Sequence, residues 1–540
     1  MGITMDEEKV TPSPAEETVV TAAAEPAAPP PTEQTASAEA AAAPAPAPKK
    51  LNVFDKFFGI TASGSTFKAE IIAGLTTFMA MVYILMVNAG IFTAWIYDDA
   101  GQPLFQIIPD LTYGAMYIAT AIGAIAGTLL MALLAKMPLA QASGMGVNAF
   151  VVYTLVLTSG LTYANAMVLT LLDGVIFVIL TATGLRKKIF EAIPVAVRHA
   201  IPVGIGLFIA FIGMQNAGVI KGNSSTLVEF VSFNLMADGF TYGAIVAPLV
   251  ALLGVIAIAI MAKKNVKGNI LWGILGSAAL YYCLTALGLA WGDATCKAVF
   301  TKIGETFSFN PFGAFADWGT QSVGQVFANG FDFSHYLSSH SGWSLAGVIF
   351  ASALSLCMVD MFDTIGTLYG ACSKGNLLDE NGAPKNMNKM MLCDAIGTCV
   401  GAVAGTSTVT TFVESSAGVS AGGKTGFTAL ITAACFFVAM FLSPIAQLIP
   451  SAATASALIW VGVLMMGSVT KIDWSDAAEA IVAFFTFIIM VLGYSISKGI
   501  GIGIIAFVLV KLCTGKVKEI SVVTWVLAAL FIATFLVSSM

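Results

Sequence analysis

Apolar runs of about twenty residues, each long enough to cross a bilayer, recur along most of this 540-residue chain. Hydrocarbon offers no hydrogen-bond partners, so a chain that crosses it must pair its own backbone, as helices or as a closed barrel. These runs are long and continuous rather than short and alternating, which excludes the barrel. Only 10% of residues are charged and 57% are hydrophobic, whereas a soluble domain carries about 25% charged residues. A soluble multi-domain enzyme would need far more charge to cover its surface. The fold class that remains is an all-α polytopic membrane protein.

Residues 1–50 stand apart. They hold nine of the nineteen prolines and eight acidic against three basic residues, with no periodic pattern. This composition predicts a disordered Ala/Pro/Glu-rich tail, and the apolar core of a signal peptide is missing from it. Without the tail the chain is near neutral, at 22 basic against 23 acidic residues, so it has no nucleic-acid footprint. The eight cysteines include no CxxC pair, and the three histidines have no metal-ligand spacing. Neither a metal site nor a redox motif is expected; His335 and His340 read as solvated residues of a polar connector.

The spans are predicted at 68–92, 113–135, 138–158, 162–183, 199–216, 241–262, 269–290, 343–371, 387–405, 406–422, 426–447, 452–470, 476–494 and 498–514. The lysines ahead of the first span, Lys49, Lys50, Lys56 and Lys68, place the N-terminus in the cytoplasm by the positive-inside rule. Lys136, Arg186-Lys187-Lys188, Lys263-Lys264 and Lys267 then fall in cytoplasmic loops, as do Lys374, Lys385, Lys389, Lys424, Lys471 and Lys516. Lys221, Lys297, Lys302 and Lys498 are external exceptions. The fourteen spans divide into 51–290 and 343–515 around an extracellular connector at 291–342. Seven is odd, so the second half runs opposite to the first, as an inverted repeat requires. A further apolar run at 521–537, within the C-terminal segment 516–540, reads as a peripheral helix or an extra span.

The third span of each half departs from a plain helix. Pro138 to Phe150 contains Ser143-Gly144-Met145-Gly146-Val147-Asn148, and Gly405 to Gly418 contains Thr408-Val409-Thr410-Thr411-Phe412-Val413-Glu414. Small, polar and β-branched residues in mid-membrane predict a short strand followed by a half-helix. Corresponding interruptions in two halves point to a transporter's binding site, with half-helix N-termini converging on it. Two ordinary helices with glycine-rich packing faces would carry similar residues; Glu414 and the paired positions favour a site. Within the eighth span Asp360 and Asp363 are three residues apart and share a helix face. Two carboxylates so placed repel each other and lose hydration, so at least one should hold a proton near neutrality. Asn148 is expected at the same centre, while Asp173 and Asp394 read as supporting residues. Tyr83, Phe150, Tyr153, Phe362 and Phe412 lie close by; a flat ligand would stack on such rings, and core packing is their default role.

Phe54-Asp55-Lys56-Phe57-Phe58-Gly59-Ile60 with Ala69 to Phe78, Gly144 to Phe150, Asp360 to Leu368 and residues 405–423 together resemble the adenine–guanine–hypoxanthine branch of the nucleobase/cation symporter-2 family. The resemblance runs from about residue 51 to about 515. One departure is Ala142-Ser143 before Gly144, where Ala-Pro is expected. It implies a uracil-permease-like fold of fourteen spans in two inverted repeats. A core domain would comprise spans 1–4 and 8–11, a gate domain spans 5–7 and 12–14, and spans three and ten would carry short strands. It implies a secondary transporter of purine nucleobases in the cell membrane, with no enzyme activity, cofactor or metal, and a proton as coupling ion. Glu414, Asp360, Asn148, Phe412, Thr411 and Gly146 would then be substrate-site residues, and Asp363, Asp360 and Glu414 would handle the proton. Glu414 would accept N1–H and the 2-amino group of guanine as a bidentate, charge-assisted pair, with Asp360 at the opposite edge. The partners expected are the nucleobase and the bilayer, with a homodimer as a possible assembly. An anion exchanger of related architecture is the alternative, opposed by the three acids. An intramembrane enzyme is another, lacking any HExxH, GxSxG or His–Asp metal set.

Overall fold

A computed structural model describes residues 53–538, apart from 98–102, 186–192, 224, 235–240, 307–308, 376 and 381–382. The N-terminal tail, with Lys49 and Lys50, and the Arg186-Lys187-Lys188 loop lie outside the described residues. Nine described helices are long and apolar enough to cross a membrane: Phe67–Phe92, Tyr113–Ala135, Tyr163–Ala182, Val195–Asn216, Tyr242–Lys263, Asn269–Ala290, Gly342–Lys374, Ser451–Lys471 and Ile496–Cys513. Shorter apolar helices occupy Met145–Thr158, Gly426–Met440, Ala477–Leu492 and Val522–Leu536, and another helix runs over Met387–Ala404. Hydroxyl caps start several of them: Thr66, Thr112 and Thr162 each accept a hydrogen bond from the third residue on, supplying an otherwise orphaned N–H with a partner.

Two helices stop inside the bundle. Met131–Ala135 ends at Lys136, whose φ is 56°, and Pro138 follows. Met387–Ala404 ends at Gly405, whose φ of 91° suits glycine. In each case the chain then becomes a three-residue strand, Gln141–Ser143 and Val409–Thr411, and all six residues are buried. The strands pair antiparallel, with Gln141 opposite Thr411, Ala142 opposite Thr410 and Ser143 opposite Val409. Gly144 N donating to Thr408 O at 3.0 Å and Phe412 N donating to Ala140 O at 3.1 Å extend the ladder. The helices Met145–Ala149 and Ser415–Ser420 then resume.

A two-stranded sheet has two open edges, and here helix side chains close them. Thr128 Oγ1 accepts from Gln141 N and donates to Gln141 O, both at 3.0 Å. On the other edge Thr411 N donates to Asp394 Oδ1 at 3.1 Å, and Thr398 Oγ1 donates to Val409 O at 3.4 Å. Glycines let these helices approach. A Cβ on Gly127 would lie 2.6 Å from Val409 Cγ1, and one on Gly401 would lie 2.5 Å from Ser407 O. Gly123-x-x-x-Gly127 and Gly397-x-x-x-Gly401 are both small-residue helix faces, each turned toward the strands.

Helix packing falls into two groups. Tyr113–Leu130, Tyr163–Ala182, Met387–Ala404, Gly426–Met440 and Phe67–Met81 pack among themselves around the strands. Val195–Asn216, Tyr242–Lys263, Asn269–Ala290, Ser451–Met465, Ala477–Leu492 and Ile496–Cys513 form the second set. Val522–Ser538 packs against both Gly342–Lys374 and Ile496–Cys513. The connector is not a bare linker. Its short helices put Trp318 Nε1 on Ala404 O at 2.8 Å and Gly324 N on Val403 O at 2.9 Å. Tyr163 OH donates to Gly405 O, so three carbonyls at the end of the broken helix are satisfied.

Thr128→Val, which removes both of the bonds to Gln141, should destabilise the protein by about 2 kcal/mol or more and lower its apparent unfolding temperature in detergent. Thr76→Val, which removes only a bond to the preceding turn at Ile72 O, should leave that temperature unchanged.

Candidate functional site

The carboxylates predicted from sequence differ in their surroundings. Glu414 precedes the Ser415–Ser420 half-helix and is half-buried; its Oε1 accepts from Tyr83 OH at 2.7 Å. Tyr83, fully buried, opens the second segment of the first span, Tyr83–Phe92. Asp363 is also half-buried, and its Oδ2 accepts from Thr410 Oγ1 at 3.3 Å. The strand thus brings Asp363 and Glu414 into one neighbourhood, at the end of the paired strands. Asp360, one helical turn earlier, is fully buried. The two aspartates share a helix, and a hydrogen bond ties Asp363 to the strand.

Asn148 lies in the Met145–Ala149 helix and is fully buried. Its Oδ1 accepts from Ser407 Oγ, joining the first half-helix to the chain that leads into the second strand. Ser143 and Thr406 exchange a hydroxyl bond of 2.5 Å, and Asn88 Nδ2 donates to Thr406 Oγ1 at 3.0 Å. Thr411 is buried in the sheet, its amide on Asp394 and its hydroxyl accepting from Gln141 Nε2 at 3.2 Å. Phe412 is 7% exposed and continues the ladder through Ala140 O. Gly146 sits at a helix contact, where a Cβ would be 2.6 Å from Ile205 Cγ2. Asp173 is fully buried on Tyr163–Ala182, beside Gly174, where that helix closes on Cys399.

Sequence reasoning placed the strand pair, Asn148, Asp363 and Glu414 in one region. Asp394, expected as a supporting residue, bridges two elements, accepting from Thr411 N and from Thr364 Oγ1 at 2.6 Å. Sequence reasoning missed three parts. Tyr83 reads from sequence as a packing ring and is the hydroxyl partner of Glu414. Thr128 closes the other strand edge. The two small-residue faces carry a visible signal, since each is a Gly-x-x-x-Gly in a span next to an interruption.

A polytopic helical bundle with two spans broken into a buried strand pair, and half-buried carboxylates beside it, defines a membrane carrier rather than an enzyme. The comparisons agree. The permease family profile (Xan_ur_permease) matches residues 68–502. The guanine/hypoxanthine permease PbuO of Bacillus subtilis is 38% identical over 88% of this chain and 98% of its own length. The adenine permease AdeP of Escherichia coli is 34% identical over 89% and 95%. Among solved structures, the transmembrane domain of the cyanobacterial bicarbonate transporter BicA superposes with a TM-score of 0.50. It is 15% identical, covering 80% of this chain and 97% of that domain. Murine Slc26a9, an anion transporter, gives 0.51 at 12% identity over 85% and 72%. At these identities the structural likeness speaks to fold alone. The chain belongs to the xanthine/uracil permease family, and its nearly full-length relatives include purine permeases.

Asp394→Ala should cut the abundance of folded protein several-fold in fluorescence-detected size exclusion, because Thr411 N and Thr364 Oγ1 both lose their acceptor inside the bundle. Asp363→Asn keeps an acceptor for Thr410 and should leave abundance near wild type.

Proposed function

We propose that this chain imports purine nucleobases (guanine, hypoxanthine or adenine) by proton symport with alternating access in the cell membrane. The observation that carries the reading is the pair of half-buried carboxylates, Glu414 and Asp363, at the end of the buried strand pair. They lie in a chain related along most of its length to guanine/hypoxanthine and adenine permeases. Glu414 accepts the N1–H of an oxopurine and the 2-amino group of guanine, a charge-assisted bidentate pair. Tyr83 holds that carboxylate in place. Asp360 serves the opposite edge of the ring, and Asn148, Phe412, Thr411 and Gly146 shape the site. A proton taken by Asp363, Asp360 or Glu414 on loading and lost on release couples the two movements.

The architecture proposed is fourteen spans in two inverted repeats, with the N-terminus in the cytoplasm. Helix contacts support it. If the first seven spans are matched in order with the second seven, each principal contact has a counterpart. Span nine packs on span four as span eleven packs on span two, and span thirteen packs on span five as span six packs on span twelve. The pairs thirteen–fourteen and six–seven match in the same way, and the strands pair with each other. The group around the strands is then the core, and the second group is the gate. The likeness in fold to a bicarbonate transporter favours an anion carrier only at the level of architecture. The acids Asp360, Asp363 and Glu414 would repel an anion.

Uptake of labelled hypoxanthine, guanine, adenine and uracil by cells lacking their own carriers tests this. Purine uptake should collapse with a protonophore. Glu414→Ala should abolish it, and Tyr83→Phe should raise KM roughly tenfold through loss of a hydrogen bond to a charged group. No purine uptake by the wild type, or unchanged uptake in both Glu414→Ala and Asp360→Ala, would sink the reading.

A further inference from the structure

Glu70 is a buried carboxylate that the transport reading leaves unused. It lies on Phe67–Met81 with no exposed surface. Its Oε1 accepts from Lys424 N at 3.0 Å. Its Oε2 accepts from Thr425 N at 3.3 Å, Thr425 Oγ1 at 2.9 Å, Thr428 N at 3.2 Å and Thr428 Oγ1 at 2.6 Å. Three of these partners are backbone N–H groups and two are threonine hydroxyls. The donors belong to the N-terminus of Gly426–Met440, where helix N–H groups otherwise lack partners and a negative charge is favoured. One helix is therefore capped by a side chain from another, more than 350 residues away in sequence.

What that cap holds in place is the half-helix behind Glu414. Ser415–Ser420 ends in Ala421 and then Gly422, whose φ is 107°, and Gly423 alone separates that turn from Lys424. Fixing Lys424 and Thr425 thus fixes the end of the half-helix. The same first-span helix also supports its flank. A Cβ on Gly418 would collide with Thr77 Oγ1 and lie 2.6 Å from Ala73 O, so the half-helix runs in direct contact with that helix. Just beyond its other end, Tyr83 OH holds the Glu414 carboxylate itself.

We infer that Glu70 is a positioning residue for the substrate site: it clamps the 421–428 segment to the first span and so sets where the Glu414 half-helix stands. The inference rests on the reading of Glu414 as a purine-binding group. Glu70→Gln keeps the shape of the side chain but turns an acceptor into an amide N–H₂ that cannot accept from all five donors. Thr428→Val removes one donor and keeps the backbone bond, giving a milder lesion. Asp55→Asn is the control, because among the described residues Asp55 accepts from its own segment, at Thr61 N and Thr61 Oγ1.

Two measurements separate positioning from simple stability. In uptake per folded carrier, Glu70→Gln should raise the purine KM about tenfold with the maximal rate within about twofold, Thr428→Val should raise it less, and Asp55→Asn should not move it. In hydrogen–deuterium exchange on the purified full chain, Glu70→Gln should speed exchange of amides in 415–420, and Asp55→Asn should not. Unchanged exchange in that segment, or an unchanged KM in both Glu70→Gln and Thr428→Val, would overturn the clamp. A wild type that takes up no purine while Glu70→Gln still loosens 415–420 would overturn the purine reading alone.

Discussion

An unpaired backbone N–H or C=O in hydrocarbon costs several kcal/mol, and on both edges of the buried strand pair side chains of flanking helices meet such groups. The ladder between the strands pairs their inner groups. The outer groups have no third strand to turn to. Thr128 meets Gln141 on one side, and Asp394 and Thr398 meet Thr411 and Val409 on the other. Side chains of flanking helices do the work that water does for a strand edge in a soluble protein. This makes Asp394 a structural acid. Its two oxygens are committed to Thr411 N and Thr364 Oγ1, whereas Glu414 and Asp363 keep partial exposure.

The same constraint shapes the neighbouring helices. Threonine or aspartate can reach a strand edge only if the helix backbone comes close, and close approach demands glycine. Hence the Gly-x-x-x-Gly faces at 123–127 and 397–401, in the same helices as Thr128, Asp394 and Thr398. Breaking the helix at Gly405 leaves its last carbonyls short of partners, and the connector supplies them through Trp318 and Gly324. A loop that looks dispensable by composition is therefore tied to the interruption it covers.

The membrane class, the helical fold and the two interruptions were legible because they are written in local composition: long apolar runs, then small and β-branched residues where apolar ones are expected. That the two interruptions correspond was legible for a similar reason, since both occupy the third span of their half, whereas the register of 141–143 on 409–411 was not. Partnerships were not. Tyr83 lies 331 residues from Glu414 and Glu70 more than 350 from Thr425, and a single sequence has no periodicity that joins such positions. Thr128 was hidden differently. A threonine in an apolar helix commonly bonds its own preceding turn, as Thr120 bonds Met116 O, and nothing local marks the one that reaches a strand.

These bonds also bear on how a carrier of this kind would move. The polar contacts of the strands, Asn148, Glu414 and Glu70 join elements within one packing group, so breaking them would expose charged or backbone groups to hydrocarbon. Between the helices that carry Asn148 and Asp363 and the second packing group, contacts such as Gly146 on Ile205 are apolar, and Ser355 Oγ to Ser497 Oγ at 2.7 Å is a neutral hydroxyl pair. Sliding one apolar surface over another trades equivalent contacts, and a neutral hydroxyl pair is cheap to exchange. The cost of separation is therefore concentrated inside the group that carries the site, and the low-cost surface lies along its border. In the proposed alternating-access cycle the site travels as a unit for that reason, with the first span, through Tyr83 and Glu70, keeping Glu414 fixed within it.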